Sequence, residues 1–156
     1  MPSNYIFRTN AEWTHARRGS VEGDPKATKI DFSAPPEFQG ESGFWSPEHF
    51  LLAAVTSCFV TTFRAIAEFS KFEFASLAVA AEGTVEKAEG GYQFTHILLR
   101  PTLTVQREGD HDRAVRLLEK TEHSCLISRS LKIGVEMQPG VQVLESPAVE
   151  LLGKTA

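Results

Sequence analysis

The chain has 156 residues, of which 42% are hydrophobic and 23% are charged, and its formal net charge is −4 at pH 7. This length and composition predict a single globular domain over residues 1–156. Such a domain folds around its own hydrophobic core and requires no disulfide or metal ion for stability. The acidic balance argues against nucleic acid as a partner, because phosphate binding requires a basic surface.

Neither a secretion signal nor a membrane span is predicted. The N-terminus lacks a basic start followed by a continuous apolar stretch. The longest apolar stretch, residues 50–69, is interrupted by threonines, a serine, an arginine and a glutamate, whereas a span requires about 20 predominantly apolar residues. We therefore expect a cytoplasmic protein with no membrane partner. In that compartment a disulfide is more often transient and catalytic than structural.

The N-terminal part of the chain predicts three strands, at residues 5–14, 17–22 and 26–32, because aromatic and β-branched residues alternate with polar ones between turn signals. Residues 33–43, rich in proline, glycine and serine, predict a loop.

A long helix is then predicted from Pro47 to residue 68 or 69. Ser46 is suited to cap its first free N–H groups, Pro47 fits the first helical position, and Glu48 suits the positive end of the helix dipole. Apolar residues occupy most sides of this helix, which predicts a central position in the fold.

The C-terminal half predicts a hairpin followed by short elements. The predicted segments are a strand at 72–86, a turn at 89–91, a strand at 92–106, a helix at 110–123, a short helix at 125–131, a strand at 133–137 and an edge strand near 141–144. Gly83 and Pro101 are candidate bulge positions, and Ser124 is the candidate cap of the short helix. The order of elements predicts an α+β domain.

The only two cysteines, Cys58 and Cys125, stand in different settings. Cys58 lies in the apolar helix and is predicted to be buried, whereas Cys125 opens the polar segment HSCLISRSL and is predicted to lie near the surface. Their number and spacing fit neither a disulfide scaffold nor a zinc site. They suggest a peroxidatic and a resolving cysteine, although Cys58 is equally consistent with a small apolar core residue.

A reactive Cys58 would have to be a thiolate, and an apolar setting alone would raise its pKa. An arginine is the best partner for it, and Arg17 and Arg18 are the candidates. A buried arginine in turn requires a carboxylate, for which Glu48 is suited. Glu48 precedes Cys58 by ten residues, about 15 Å along one helix. We therefore expect Glu48 to come from the neighbouring subunit of a dimer.

Metal and nucleotide motifs are missing from the sequence. No two of the five histidines have the spacing of ligands on one helical face, and no phosphate loop or GxSxG pattern occurs. The histidines are His15, His49, His96, His111 and His123. We therefore expect neither a metal nor an organic cofactor.

Three segments resemble the OsmC/Ohr family of thiol peroxidases. SPEHFLLAAVTSCFVTTF is similar to the central helix of that family, HSCLISRSL to its Cys-Pro-x-Ser segment, and AEWTHARRGSV to the strand in which an arginine precedes a glycine. Leu126 stands where the family usually has proline, and the Gly-Gly-Arg pattern of the organic-hydroperoxide branch is absent.

The resemblance implies an intertwined homodimer in which sheets wrap around two central helices. It also implies reduction of hydroperoxides, with organic ones preferred, by an external dithiol and without metal or flavin. Cys58 matches the peroxidatic position, Cys125 the resolving position, Arg18 the activating arginine, and Glu48 the glutamate that holds it.

Two other functions remain open on the same fold. One is a non-redox protein whose aromatic pocket binds or senses a small apolar ligand. The other is a cysteine hydrolase or acyl-transfer enzyme that uses Cys58 without Cys125.

Overall fold

The computed structural model of the chain describes residues 4–24 and 27–145, which belong to two compact units, Met1–Ala53 (the N-terminal unit) and Ala54–Ala156 (the C-terminal unit). The strands and helices are β1 Arg8–His15, β2 Arg18–Asp24, β3 Ile30–Ser33, α1 Pro47–Phe69, β4 Ser76–Ala88, β5 Gly91–Val105, α2 His111–Ser124, α3 Leu126–Ser130, β6 Val135–Met137 and β7 Gly140–Val143. Single-turn 3-10 helices lie at Pro36–Phe38 and Glu108–Asp110. The predicted α+β class is confirmed.

The N-terminal unit contains an antiparallel sheet in the order β1-β2-β3. Its third strand is shorter than predicted, and residue 26 of the predicted range lies outside the described residues. Gly19 allows β1 and β3 to approach β2 closely, because a Cβ atom there would lie 2.6 Å from both the Glu12 carbonyl oxygen and the Phe32 ring. Every residue of β1 is exposed to solvent.

Helix α1 begins at Pro47 and ends at Phe69, as predicted. The Ser46 hydroxyl accepts a hydrogen bond from the N–H of His49 at 3.3 Å, and the Ser46 N–H donates to Nδ1 of His49 at 3.2 Å. This reciprocal pair is a capping box with histidine at the third helical position.

By length and composition alone, α1 is apolar enough to cross a membrane, as the core helix of a soluble protein also is. In the C-terminal unit it carries a fully buried stripe at a spacing of four residues, which is the pattern of a helix packed on a core. The stripe consists of Val55, Phe59, Phe63 and Ala67.

The sheet of the C-terminal unit is built on the long hairpin β4–β5. Its turn is at the predicted place, and Gly90 adopts a φ of +96°, which glycine tolerates best. Strands β6 and β7 both pair with β5 in parallel. The register shift of the hairpin lies between Thr84 and Val85, next to Gly83 but not at it.

The prediction of a break or bulge at Pro101 is wrong, since Pro101 pairs in register with Val79. The N–H of Ile97 and the carbonyl of Leu99 face β6, so by the two-residue period of a strand the nitrogen of Pro101 faces the same side. Pairing with β6 stops at Leu99 and pairing with β7 starts at Thr102. The missing N–H of Pro101 therefore falls in the gap between the two short strands.

Helix α2 contacts β5 and β7 through a buried apolar face, and α3 follows after a single residue. That residue, Cys125, is extended (φ −64°, ψ 113°) and is the N-cap position of α3. The prediction of Ser124 as the cap is wrong, because Ser124 is still the last residue of α2.

Candidate active site

The two cysteines are free thiols, and each shifts the pKa of the other. Cys58 lies on α1 and Cys125 between α2 and α3. The predicted burial is reversed: Cys125 is fully buried and Cys58 is partly exposed. Ser124 and Leu126, on either side of Cys125, face solvent. The segment therefore has a polar sequence although its cysteine points inward.

Several donors converge on the sulfur of Cys58. Burial raises the pKa of this thiol, but hydrogen bonds oppose the effect and bring the pKa below its ordinary value. The donors are the N–H of Ile127, the thiol of Cys125, the hydroxyl of Thr62 and the N–H of Leu126. The Thr62 oxygen lies 3.8 Å from the Cys58 sulfur. Cys58 is therefore the thiol of the pair that ionises first.

Cys125 shows the opposite behaviour. Burial raises its pKa, hydrogen bonding from Ser128 lowers it, and the hydrogen bond to Cys58 and the charge of the Cys58 thiolate raise it again, with a net upward shift. The Ser128 hydroxyl is buried beside this thiol, and within residues 27–145 no partner satisfies a well-formed hydrogen bond to it. The pKa values of the two thiols are therefore shifted in opposite directions, that of Cys58 downward and that of Cys125 upward.

Sequence reasoning missed four of the groups around the two sulfurs. Thr62 was identifiable, because it follows Cys58 by four residues and so lies on the same helical face. Ser128 follows Cys125 in the first turn of α3. The N–H groups of Leu126 and Ile127 could not be predicted from residue type, because every residue except proline has a backbone N–H.

In the N-terminal unit, the tight turn between β1 and β2 places Arg17 and Arg18 in different surroundings. The Arg17 guanidinium is exposed and donates to the side-chain oxygen of Gln39 at 3.0 Å. Arg18 is half-buried, and its guanidinium carbon lies 4.0 Å from the centre of the Phe44 ring. Such a cation–aromatic contact restricts the side chain.

An open cavity of about 710 Å³ lies beside this turn. Its walls combine apolar and aromatic groups with both guanidinium groups. The lining includes Trp13, Phe32, Arg17, Arg18 and Pro47. The arrangement suits a small molecule with an apolar body and a polar end.

Glu48, at the start of α1, is half-buried, and its Oε2 atom is buried without a hydrogen-bond partner among the described residues. A buried carboxylate oxygen of this kind requires a donor. Arg18 and Glu48 both lie in the N-terminal unit and form no ion pair with each other in a single chain. Each is therefore available for a partner from outside that unit.

The described residues show no candidate metal site. No group of three or more histidine, cysteine, aspartate or glutamate side chains is arranged to hold a metal ion there. His49 instead takes part in the cap of α1, with its Nδ1 atom 2.8 Å from the Ser46 hydroxyl.

Residues 40–139 match the model of the family described as OsmC-like protein. The chain is also 30% identical over 141 residues to the uncharacterized protein YmaD of Bacillus subtilis, an alignment that covers 87% of this chain and 93% of YmaD. The matched ranges include Cys58 and Cys125.

Two solved structures share the fold. An OsmC-like protein of unknown function from Vibrio cholerae superimposes with a TM-score of 0.76 at 20% identity, covering 87% of this chain and 99% of that one. An organic hydroperoxide resistance protein from Legionella pneumophila gives a TM-score of 0.73 at 24% identity, covering 91% and 100%.

Proposed function

Because this chain belongs to the OsmC-like protein family, we propose that it is a thiol-dependent peroxidase that reduces organic hydroperoxides, and hydrogen peroxide, through Cys58 and Cys125. The opposite pKa shifts of the two thiols carry the proposal: the Cys58 pKa is lowered, the Cys125 pKa is raised, and each cysteine contributes to the shift of the other. One of the structural neighbours is named an organic hydroperoxide resistance protein, which supports the substrate class.

The proposed reaction has three steps: attack of Cys58 on the hydroperoxide, formation of a disulfide with Cys125, and reduction of that disulfide by an external dithiol. The Cys58 thiolate attacks the distal oxygen of the hydroperoxide, the O–O bond breaks, and the alkoxide takes up a proton and leaves as an alcohol. Cys58 is then a sulfenic acid. The sulfur of Cys125 attacks it, water leaves, and a disulfide forms. An external dithiol returns both cysteines to thiols by exchange and is itself oxidised to a disulfide.

Arg18 is the proposed activating residue, in a homodimer. Its guanidinium would face the Cys58 thiolate and the peroxide, and Glu48 of the neighbouring subunit would hold it in place. The buried, unpartnered Oε2 of Glu48 and the complete exposure of β1 are the features of a single chain that support this assembly. The proposed setting is the cytoplasm, where thiol reductants are available.

Steady-state consumption of cumene hydroperoxide with dithiothreitol tests the proposal. The wild type is expected to turn over, Cys58→Ser to lose all consumption above background, and Cys125→Ser to react once and then stall without disulfide formation. Consumption by Cys58→Ser equal to that of the wild type would reject the proposed nucleophile.

The same assay separates the two other functions. A binding or sensing protein would consume no hydroperoxide with any dithiol and would still take up an apolar ligand. A cysteine hydrolase would cleave an activated ester equally well after Cys125→Ser, because ester hydrolysis requires no resolving thiol.

A further inference from the structure

The tight turn between β1 and β2 sets His15 directly opposite Arg18. The two residues are cross-strand partners on either side of the turn residues Ala16 and Arg17. Ala16 adopts a φ of +46°, in the left-handed region that tight hairpin turns use, and its carbonyl oxygen accepts a hydrogen bond from the indole N–H of Trp13 at 2.9 Å. Directly opposed strand residues have their Cβ atoms about 5 Å apart on one face of the sheet. The backbone therefore brings the imidazole of His15 beside the guanidinium of Arg18.

The side chains of these two residues are in contact. Nη1 of Arg18 lies 3.5 Å from Nε2 of His15, and the guanidinium carbon lies 4.0 Å from the centre of the Phe44 ring. A guanidinium can only donate hydrogen bonds, so Nε2 of His15 is the acceptor and the proton of the neutral ring is on Nδ1. Arg18 is thus held by an aromatic face and by a neutral acceptor, both within the N-terminal unit.

A neutral acceptor differs from a carboxylate in its effect on the charge of Arg18. In the proposed site Glu48 already supplies one carboxylate, and a second one at position 15 would offset the positive charge that favours a thiolate. The imidazole of His15 occupies one of the five N–H donors of the guanidinium and leaves its charge uncompensated. The remaining donors stay available for the thiolate and the hydroperoxide.

We propose that His15 is a positioning residue that orients the Arg18 guanidinium through a hydrogen bond to Nε2. Its role in turnover rests on the proposed peroxidase, in which Arg18 activates Cys58, whereas the contact itself is testable without any peroxide. The Arg17 guanidinium is held elsewhere, because it donates to the side-chain oxygen of Gln39 at 3.0 Å. The contact with His15 therefore distinguishes the two arginines of the turn.

The tautomer of His15 tests the contact directly. In nitrogen NMR spectra of the wild type above about pH 8, where histidine side chains are neutral, His15 should have a bare Nε2 and a protonated Nδ1. Arg18→Met removes the donor, so the ring should return to the tautomer mixture of a solvated histidine. Arg17→Met is the matched control and should leave the His15 tautomer unchanged. A wild-type His15 with its proton on Nε2, or a tautomer that does not respond to Arg18→Met, would overturn the proposal.

Two substitutions of His15 separate the acceptor from the ring. His15→Phe keeps an aromatic ring without an acceptor, whereas His15→Gln supplies an amide oxygen as acceptor. With cumene hydroperoxide and dithiothreitol, His15→Phe should lower kcat/KM about fivefold, the order expected for one weak hydrogen bond, and His15→Gln should remain within about twofold of the wild type. Equal values for the two variants would reject the positioning role.

The two measurements distinguish failure of this inference from failure of the proposed function. If the wild type consumes hydroperoxide and His15→Phe matches His15→Gln, His15 is not a positioning residue while the peroxidase stands. If His15 has the expected tautomer and the wild type consumes no hydroperoxide, the peroxidase proposal fails while the contact stands. The tautomer is measured on the unsubstituted chain, so a wild-type His15 with a protonated Nε2 rejects the contact even where a variant does not fold.

Discussion

At the scale of single residues, two thiols of the same type acquire opposite properties from their surroundings. Both are desolvated, which raises a thiol pKa. Cys58 receives hydrogen bonds that outweigh this effect, whereas Cys125 is placed next to the negative charge that Cys58 acquires. Nucleophilic attack requires the thiolate, and for this reason we propose Cys58 as the attacking thiol.

Thr62→Val tests the side-chain part of this account. Valine has nearly the shape of threonine but no hydroxyl, so the Cys58 thiolate loses one donor and its pKa should rise. A thiolate with a lowered pKa stays charged at lower pH, so the pH profile of alkylation should move upward and the rate near pH 7 should fall about threefold.

Thr61→Val is the matched control for this change. Its hydroxyl is exposed and donates to the carbonyl oxygens of Ser57 and Cys58, not to the sulfur. Alkylation of Thr61→Val should follow the wild type. If the two variants shift the profile equally, the Thr62 hydroxyl does not act on the sulfur.

At the scale of elements, the start of α1 was predicted correctly, whereas the predictions at Pro101 and at the cap of α3 were wrong. The start of α1 was predictable because Ser46 and Pro47 act within one turn of chain. The strand β5 accommodates Pro101 because this residue lies opposite the gap between β6 and β7, and both of those strands are distant from Pro101 in sequence. The cap of α3 was misassigned because α2 extends one residue further than its apolar pattern indicates.

The candidate site was also predicted only in part. Cys58 and Cys125 were predicted to act as a pair from their settings and from the family resemblance, because the chemistry of a side chain can be inferred from the sequence. The backbone donors of Leu126 and Ile127 were not, because they depend on where α3 begins and on which sulfur its first turn faces.

Ser46→Ala tests the cap of α1. The loss of the hydroxyl leaves the N–H of His49 without its acceptor, and the free energy of unfolding should fall by about 1 kcal/mol. Urea denaturation followed by circular dichroism measures this change. Ser57→Ala, in the middle of the same helix, should leave stability within about 0.5 kcal/mol. Equal effects of the two substitutions would contradict the capping role.

At the scale of the whole molecule, a single chain leaves parts of its surface and of its site incomplete. All of β1 is exposed, Trp13 is 76% exposed, and the Oε2 atom of Glu48 is buried without a partner among the described residues. A homodimer that supplies Glu48 from one subunit to the Cys58 site of the other would account for both features. The resemblance to the OsmC/Ohr family implies the same assembly.

Glu48→Gln should reduce kcat/KM for cumene hydroperoxide about tenfold, because a neutral amide holds the arginine less firmly than a carboxylate does. Glu41→Gln removes the same charge from an exposed position in the nearby loop and should leave turnover unchanged. Steady-state kinetics with dithiothreitol measures both. Loss of activity in both variants would indicate that the removal of one negative charge, and not the position of Glu48, lowers the activity.

Mixed dimers test whether Glu48 acts across the interface. A heterodimer of Glu48→Gln and Cys58→Ser chains, purified through two different tags, combines an intact Cys58 with an intact Glu48 on the other chain. It should recover about half of the wild-type activity, since one of its two sites is complete. Activity no greater than that of the Glu48→Gln homodimer would place Glu48 within the same chain as its cysteine.

The central claim is that Cys58 and Cys125 reduce a hydroperoxide as a pair, and mass spectrometry after one equivalent of cumene hydroperoxide tests it most directly. We predict that the wild type loses two hydrogens and yields a peptide cross-linked between Cys58 and Cys125. In Cys125→Ser, Cys58 should instead gain one oxygen. A wild-type chain whose two cysteines both remain thiols while the hydroperoxide persists would contradict the claim.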